Sequence, residues 1–82
     1  MASQYRIYAH IRRVGPGSFV VAVHGELVDG GARVDTDDVC EPCSHEEARS
    51  GCFRMVATIA SEIARNGGEV VDVETIDEGF VR

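Results

Sequence analysis

The sequence contains no lysine and no tryptophan, and it has only two prolines and three cysteines among 82 residues. Three cysteines, without a secretion signal before them, exclude the disulfide framework that stabilises many small secreted domains. No apolar run approaches the roughly 18 residues that a membrane-spanning helix needs. The first residues also lack the basic-then-apolar layout of a secretory signal. We therefore expect a cytoplasmic protein without a membrane partner.

Positive charge is scarce. Eight arginines face 14 acidic residues, which gives a formal net charge of -6. The acidic residues concentrate in two stretches, residues 26–47 and 69–78. Affinity for nucleic acid depends mainly on positive groups that contact phosphates. The sequence therefore predicts no direct binding of nucleic acid.

The length and the 44% apolar content fit one globular domain over residues 1–82. A domain of this size buries only about 60–65% of the surface of its unfolded chain, so a lone monomer is marginally stable. We therefore expect association, either as a homodimer or with another protein.

Two long segments alternate apolar and polar residues with the period of a half-buried strand, residues 5–14 and 19–28. Between them, Gly15-Pro16-Gly17-Ser18 has the composition of a turn. Asp29-Gly30 is typical of a type I′ hairpin, and it predicts a third, short strand over residues 32–35.

A helix is predicted next. Ser44 and Glu47 have the spacing of a capping box, in which each residue bonds to the backbone of the other. Apolar residues then recur at helical spacing: Ala48, Cys52, Val56, Ile59, Ala60 and Ile63. Asn66-Gly67 supplies the stop. A strand over residues 69–76 follows, and residues 77–82 are expected to form a flexible tail beyond an ordered core of residues 5–76.

These elements predict a two-layer α+β fold of order β-β-β-α-β, in which a three-stranded antiparallel meander precedes the helix and the fourth strand. By the right-handed crossover rule, the fourth strand runs parallel to the first. The predicted core consists of Ile7, Ile11, Val21, Val23, Val56, Ile59, Ile63 and Val71.

One helix covers one face of a sheet, which leaves the second face without a covering layer. That face is predicted to carry Tyr8, His10, Arg12, Val20, Ala22 and His24. Interfaces favour such a mixture of aromatic, arginine and aliphatic side chains. We therefore expect association through this face or through the edge strand beside it, with Tyr8 as the anchor.

The Cys40-Glu41-Pro42-Cys43 motif lies just before the helix, where the helix dipole lowers a thiol pKa. It resembles the thioredoxin motif over these four residues, although two hairpins precede it here instead of a βαβ unit. Thiol–disulfide exchange is the function that this resemblance implies. The simpler interpretation is that both cysteines are ordinary loop residues.

Zinc is a second possibility for the same segment. Cys40, Cys43, His45 and Cys52 are four groups of zinc-ligand type within thirteen positions. However, Cys52 falls on the apolar face of the helix, two turns beyond His45, so its sulfur should lie about 10 Å from the Cys40–Cys43 pair at a rise of 1.5 Å per residue. A small buried hydrophobic residue is the more economical role for Cys52.

His10 and His24 form a third candidate site. If the first hairpin closes through a three-residue loop, the two imidazoles face each other and could bind a metal or an anion. A loop of two or four residues would separate them.

The strand order, together with the helix opening Ser44-His45-Glu46-Glu47-Ala48, resembles the small HicB-like antitoxin domain over residues 5–73. The resemblance implies a non-catalytic domain that oligomerises and neutralises a partner protein. We therefore expect a protein-interaction module without enzymatic activity or a required cofactor, with a thiol or zinc protein as the alternative.

Overall fold

The computed structural model describes residues 3–31, 33–35 and 42–79. The elements follow the predicted order β-β-β-α-β. Their bounds are β1 Gln4–Gly15, β2 Ser18–Leu27, β3 Arg33–Asp35, α1 His45–Arg65 and β4 Glu69–Asp77.

The four strands form one mixed sheet of order β3-β2-β1-β4. β1 and β2 are antiparallel, as are β2 and β3, because short turns connect them. α1 carries the chain back across the sheet, so that β4 lies beside β1 and parallel to it. The predicted α+β class and the direction of the fourth strand are confirmed.

The first hairpin closes through a two-residue loop, which is shorter than the three-residue loop that would pair His10 with His24. Gly15 is opposite Ser18, and the register shifts between Arg13 and Gly15. With only Pro16 and Gly17 between those partners, His24 lies opposite Tyr8, and His10 lies opposite Ala22. The three-residue alternative, which would pair His10 with His24, is therefore excluded, because the two-residue loop and the irregularity between Arg13 and Gly15 each move the register by one residue.

The second turn also differs from its predicted type. The Gly30 N–H donates to Leu27 O at 2.9 Å, which places Val28 and Asp29 at the centre of the turn. A type I′ turn needs a positive φ at both central residues, whereas among the described residues only glycines have a positive φ. Gly30 and Gly31, with φ of 85° and 98°, then return the chain towards β3.

The helix begins and ends where the sequence predicts. Ser44 is the N-cap, and its Oγ accepts a hydrogen bond from the Glu47 N–H at 3.2 Å. The Ser44 hydroxyl also donates to the Glu47 carboxylate at 3.0 Å, so the side chain of Glu47 bonds to the hydroxyl. At the other end, Gly67 has a φ of 82°, and the Gly68 N–H donates to Ile63 O.

The core lies between α1 and the middle of the sheet. Its buried residues are Ile7, Ala9, Ile11, Phe19, Val21, Val23, Ala48, Cys52, Met55, Ile59 and Ile63. Val56 only packs against the margin of this core. Val71 is 47% exposed, and its predicted burial is wrong. The register of β4 against β1 steps from Val70 to Asp72, so Val71 falls in an irregularity without a partner on β1.

The position of the helix follows from Gly25 on β2. A Cβ atom at Gly25 would lie 3.1 Å from Ile63 Cδ1 and 3.2 Å from Ile59 Cγ2, which is tighter than ordinary van der Waals contact. The missing side chain therefore allows α1 to approach β2 closely. α1 packs mainly over β1 and β2, and it covers β4 much less.

Hydrogen bonds fix the chain beyond residue 76 as far as Gly79, the last residue that the structure describes. β4 includes Asp77, and the Glu78 N–H donates to Ile11 O at 2.9 Å. The predicted flexible tail begins at residue 77, whereas the hydrogen bonds extend through Gly79, and residues 80–82 lie outside the described residues. No helix in the described part of the chain is long and apolar enough to cross a membrane.

Candidate interaction surface

The six predicted interface residues share the sheet face that α1 does not cover, here called the helix-free face. The register pairs Tyr8 with His24, His10 with Ala22, and Arg12 with Val20. The rings of Tyr8 and His24 are stacked, with centroids 5.3 Å apart and an interplanar angle of 26°. A shallow depression of about 530 Å³ adjoins this pair, and its lining includes Glu26, Glu74 and Ile76.

Two rows of side chains cross the helix-free face from β3 to β4, and each row has a carboxylate at its β4 end. The first row is Arg33, Glu26, Arg6 and Asp72. The second row is Asp35, His24, Tyr8 and Glu74. Both rows therefore end at β4 in an exposed acidic residue.

The outer side of β4, here called the β4 edge, has no partner strand within the described ranges 3–31, 33–35 and 42–79. The Glu78 N–H points to Ile11, and successive residues of a strand point their backbone groups to opposite sides. The N–H groups of Val73 and Thr75 therefore point outward. The side chain of Asp72 confirms this for Val73, because its carboxylate accepts the Val73 N–H at 3.0 Å.

Between α1 and β4 lies a groove of about 390 Å³, here called the α1–β4 groove. Its apolar part consists of Phe53 and Val56 on the helix and Val73 on the strand, and its polar end carries Arg49 and Asp77. Phe53 is 72% exposed and Val73 is 44% exposed. The groove exists because α1 packs over β1 and β2 and leaves β4 largely uncovered.

Two histidines fix the end of β4. His45 Nε2 donates to Asp77 Oδ1 at 2.8 Å, and a Cβ atom at Gly79 would overlap the His45 ring. His10 Nε2 donates to Glu78 Oε2 at 2.5 Å. This hydrogen bond, together with one from the Arg13 N–H, lowers the pKa of Glu78 below its usual value.

The residues of the thiol and zinc alternative are only partly described, because Cys40 lies outside the described residues. The backbone of Cys43 forms an isolated antiparallel β-bridge with Phe19 of β2. Cys52 is a core residue. Burial raises the pKa of the Cys52 thiol, and the nearby charge of Asp77 raises it further. In the described segments, no group of three or more His, Cys, Asp or Glu residues could hold a metal ion.

Cys52, His45 and Asp77 are residue types of a thiol hydrolase, and they lie around the first half of α1. Cys52 does not fit the role of a nucleophile, because its side chain is buried in the core and this burial raises the pKa of its thiol. His45 also donates its Nε2 hydrogen to Asp77, which ties the helix to β4. We assign this cluster a structural role.

Sequence reasoning missed Asp77 and Glu78 as partners of the histidines, and it missed the α1–β4 groove. Both depend on β4 lying beside β1 and on its exact register, and local patterns do not encode either of these. The sequence offers one signal, which is that Phe53 is a large apolar residue outside the set that recurs at helical spacing.

Comparisons of the chain with family models, with curated proteins and with solved structures found no match. They do not bear on the resemblance to the HicB-like antitoxin domain, which stays a prediction.

Proposed function

We propose that this chain is a non-catalytic protein-interaction module that binds its partner at the β4 edge and the adjoining helix-free face. The observation that carries the proposal is the nine-residue β4, whose outer side pairs with no strand among the described residues. Proteins usually protect such an edge by keeping it short, by a β-bulge, or by placing proline or charged residues on it, lysine above all. β4 has four acidic residues and an irregularity at Val71, but it has neither lysine nor proline. It runs regularly from Asp72 to Asp77, with Val73 and Ile76 exposed along it.

The surroundings of β4 support a protein as the partner. A strand that pairs with this edge gains backbone hydrogen bonds, and its alternate side chains reach the two sheet faces. One set would enter the α1–β4 groove, and the other set would lie beside Glu74 and Tyr8. Phe53 and Val73 are both exposed in the lining of this groove, and contiguous exposed apolar groups are typical of binding surfaces.

The HicB-like resemblance implies a role of the same class, a domain that neutralises a partner protein. The homodimer expected from the small size of the chain is a second form of the same proposal, with the helix-free face as the interface. For that form, Tyr8→Glu should reduce self-association in sedimentation velocity while the thermal unfolding stays unchanged.

The β4 edge is tested by affinity capture from an extract of the native cell with two variants of one residue. Thr75→Pro removes an outward N–H and leaves the hydrogen bonds to β1, and proline is tolerated on edge strands. Thr75→Val retains the N–H and serves as the matched control. Thermal unfolding confirms that both variants are folded.

The proposal predicts that a protein captured by the parent chain and by Thr75→Val is lost with Thr75→Pro. If Thr75→Pro captures the same protein equally well, the β4 edge is not the binding surface.

A further inference from the structure

We infer that the segment bound at the β4 edge is an extended strand in which basic residues alternate with apolar ones. This inference rests on the proposed function and names the chemistry of the partner. Three observations carry it: the charge order across the helix-free face, the position of Asp72 and the shape of the α1–β4 groove.

The charge order is the first observation. The row that begins on β3 alternates in sign, with Arg33, Glu26, Arg6 and Asp72 as its members. Directly opposed charges of opposite sign stabilise neighbouring strands, and like charges destabilise them. An added strand supplies the next position of this row beside Asp72, and a basic residue continues the alternation there.

Glu74, which ends the second row, favours a second basic residue on the added strand. Its neighbour on β1 is Tyr8, so it ends the second row with a carboxylate next to an aromatic ring. In an added strand, the residues beside Asp72 and Glu74 lie two positions apart and share a face. Two basic residues with one residue between them therefore match both carboxylates.

Asp72 supplies the second observation. In the free chain, its carboxylate accepts the outward Val73 N–H at 3.0 Å and covers that donor. A partner strand needs this N–H for its own carbonyl, so binding displaces the carboxylate. A basic side chain on the partner then gives the Asp72 carboxylate a new counter-charge, whereas an acidic side chain would repel it.

The groove fixes the residues between the basic ones. These residues point to the helix side of the sheet, where Phe53, Val56 and Val73 form an apolar wall. An apolar side chain that enters this groove removes apolar surface from water, and that burial stabilises the complex. The intervening residue is therefore apolar.

A second copy of this chain fits the edge poorly. If two β4 strands pair antiparallel around Val73, Asp72 of each copy lies opposite Glu74 of the other. The formal net charge of -6 on each chain adds repulsion. Charge complementarity thus favours a basic partner.

The test uses three capped nine-residue peptides in which valine alternates with lysine, threonine or glutamate. Binding to the full chain is followed by isothermal titration at low and moderate salt. Amide chemical shifts of β4 report the site. We expect the lysine peptide to bind with the highest affinity, to shift the Thr75 amide, and to weaken as salt rises.

Two variants with the same charge change separate local from global electrostatics. Glu74→Lys changes the β4 edge, whereas Glu62→Lys changes an exposed helix position that pairs with Arg65. We expect Glu74→Lys to weaken the binding of the lysine peptide about five- to tenfold, because the variant removes an attractive cross-strand charge pair and puts a repulsive pair in its place. Glu62→Lys should change the affinity less than about twofold.

The outcomes distinguish this inference from the proposed function. Equal binding of the lysine and threonine peptides at β4 would overturn the basic preference and leave the β4 edge as the binding surface. Equal effects of Glu74→Lys and Glu62→Lys would also overturn it, as would the absence of binding by the lysine peptide. Failure of the proposed function shows itself separately, in the capture experiment with Thr75→Pro.

Discussion

Gly25 is the residue whose substitution tests the packing of α1 most sharply. An added Cβ would come within 3.1 Å of Ile63 Cδ1 and 3.2 Å of Ile59 Cγ2, and both isoleucines are fully buried. Overpacking of a core costs about 1–3 kcal/mol, and replacing a strand glycine by alanine returns roughly 0.5–1 kcal/mol. The difference spans about 0–2.5 kcal/mol. Because two fully buried isoleucines have little room to move, we predict that Gly25→Ala lies in the upper part of this range and lowers the free energy of unfolding by about 1–2 kcal/mol.

Thermal and urea unfolding both measure this loss, which corresponds to about 4–16 °C in Tm for a domain of this size. Gly15→Ala is the matched control, because its Cβ would have Ser18 Cβ at 3.9 Å as its nearest heavy atom. That variant should stay within about 0.5 kcal/mol of the parent. Ile63→Val removes the Cδ1 atom, so the double variant with Gly25→Ala should lose less than the sum of the single losses.

Equal stability of Gly25→Ala and Gly15→Ala would refute this reasoning. α1 would then not press on β2 at Gly25, and the uncovered β4 would need another explanation.

Three further predictions concern the core, the thiols and pH. Ile59→Ala should cost about 2–5 kcal/mol in urea unfolding, because Ile59 is 1% exposed, and a negligible loss would contradict its place in the core. Cys40→Ser with Cys43→Ser should leave the thermal unfolding unchanged, whereas unfolding of the parent by a chelator would establish a structural zinc site. The lowered pKa of Glu78 stabilises the fold above the usual carboxylate range. The stability difference between the parent and Glu78→Gln should therefore shrink as pH falls through that pKa, and a difference independent of pH would contradict the hydrogen bond to His10.

Local patterns predict most of the fold, because the residues that begin, end and orient each helix or strand lie within a few positions of one another in the sequence. Ser44 and Glu47 fix the helix start, and Asn66-Gly67 fixes its end. The alternation in β1 and β2 assigns the buried and uncovered faces, and the buried Ile7, Ala9 and Ile11 agree with it.

Two of the failures depend on how one element lies against another. The loop Pro16-Gly17 and the irregularity between Arg13 and Gly15 together shift the register and separate His10 from His24. Val71 is exposed because the register of β4 against β1 skips it. Neither change of register alters the alternation of apolar and polar residues in the sequence of the strand, so the sequence does not predict it.

The candidate surface was predicted in part, because the helix-free face follows from alternation alone. The α1–β4 groove does not, since it depends on the close approach of α1 to Gly25 of β2. A glycine in a strand signals such an approach only after the element that faces it is known.

Hydrogen exchange at the Thr75 amide, followed by NMR, is the most direct test of binding at the β4 edge. This N–H points away from β1, so it should exchange freely in the isolated chain and become protected when the lysine peptide or the captured partner binds. The Glu78 amide, which already donates to Ile11 O, should change little and serves as the internal reference. Protection that appears elsewhere in the complex, with the Thr75 amide still exchanging at its free rate, would contradict the β4 edge as the site of association.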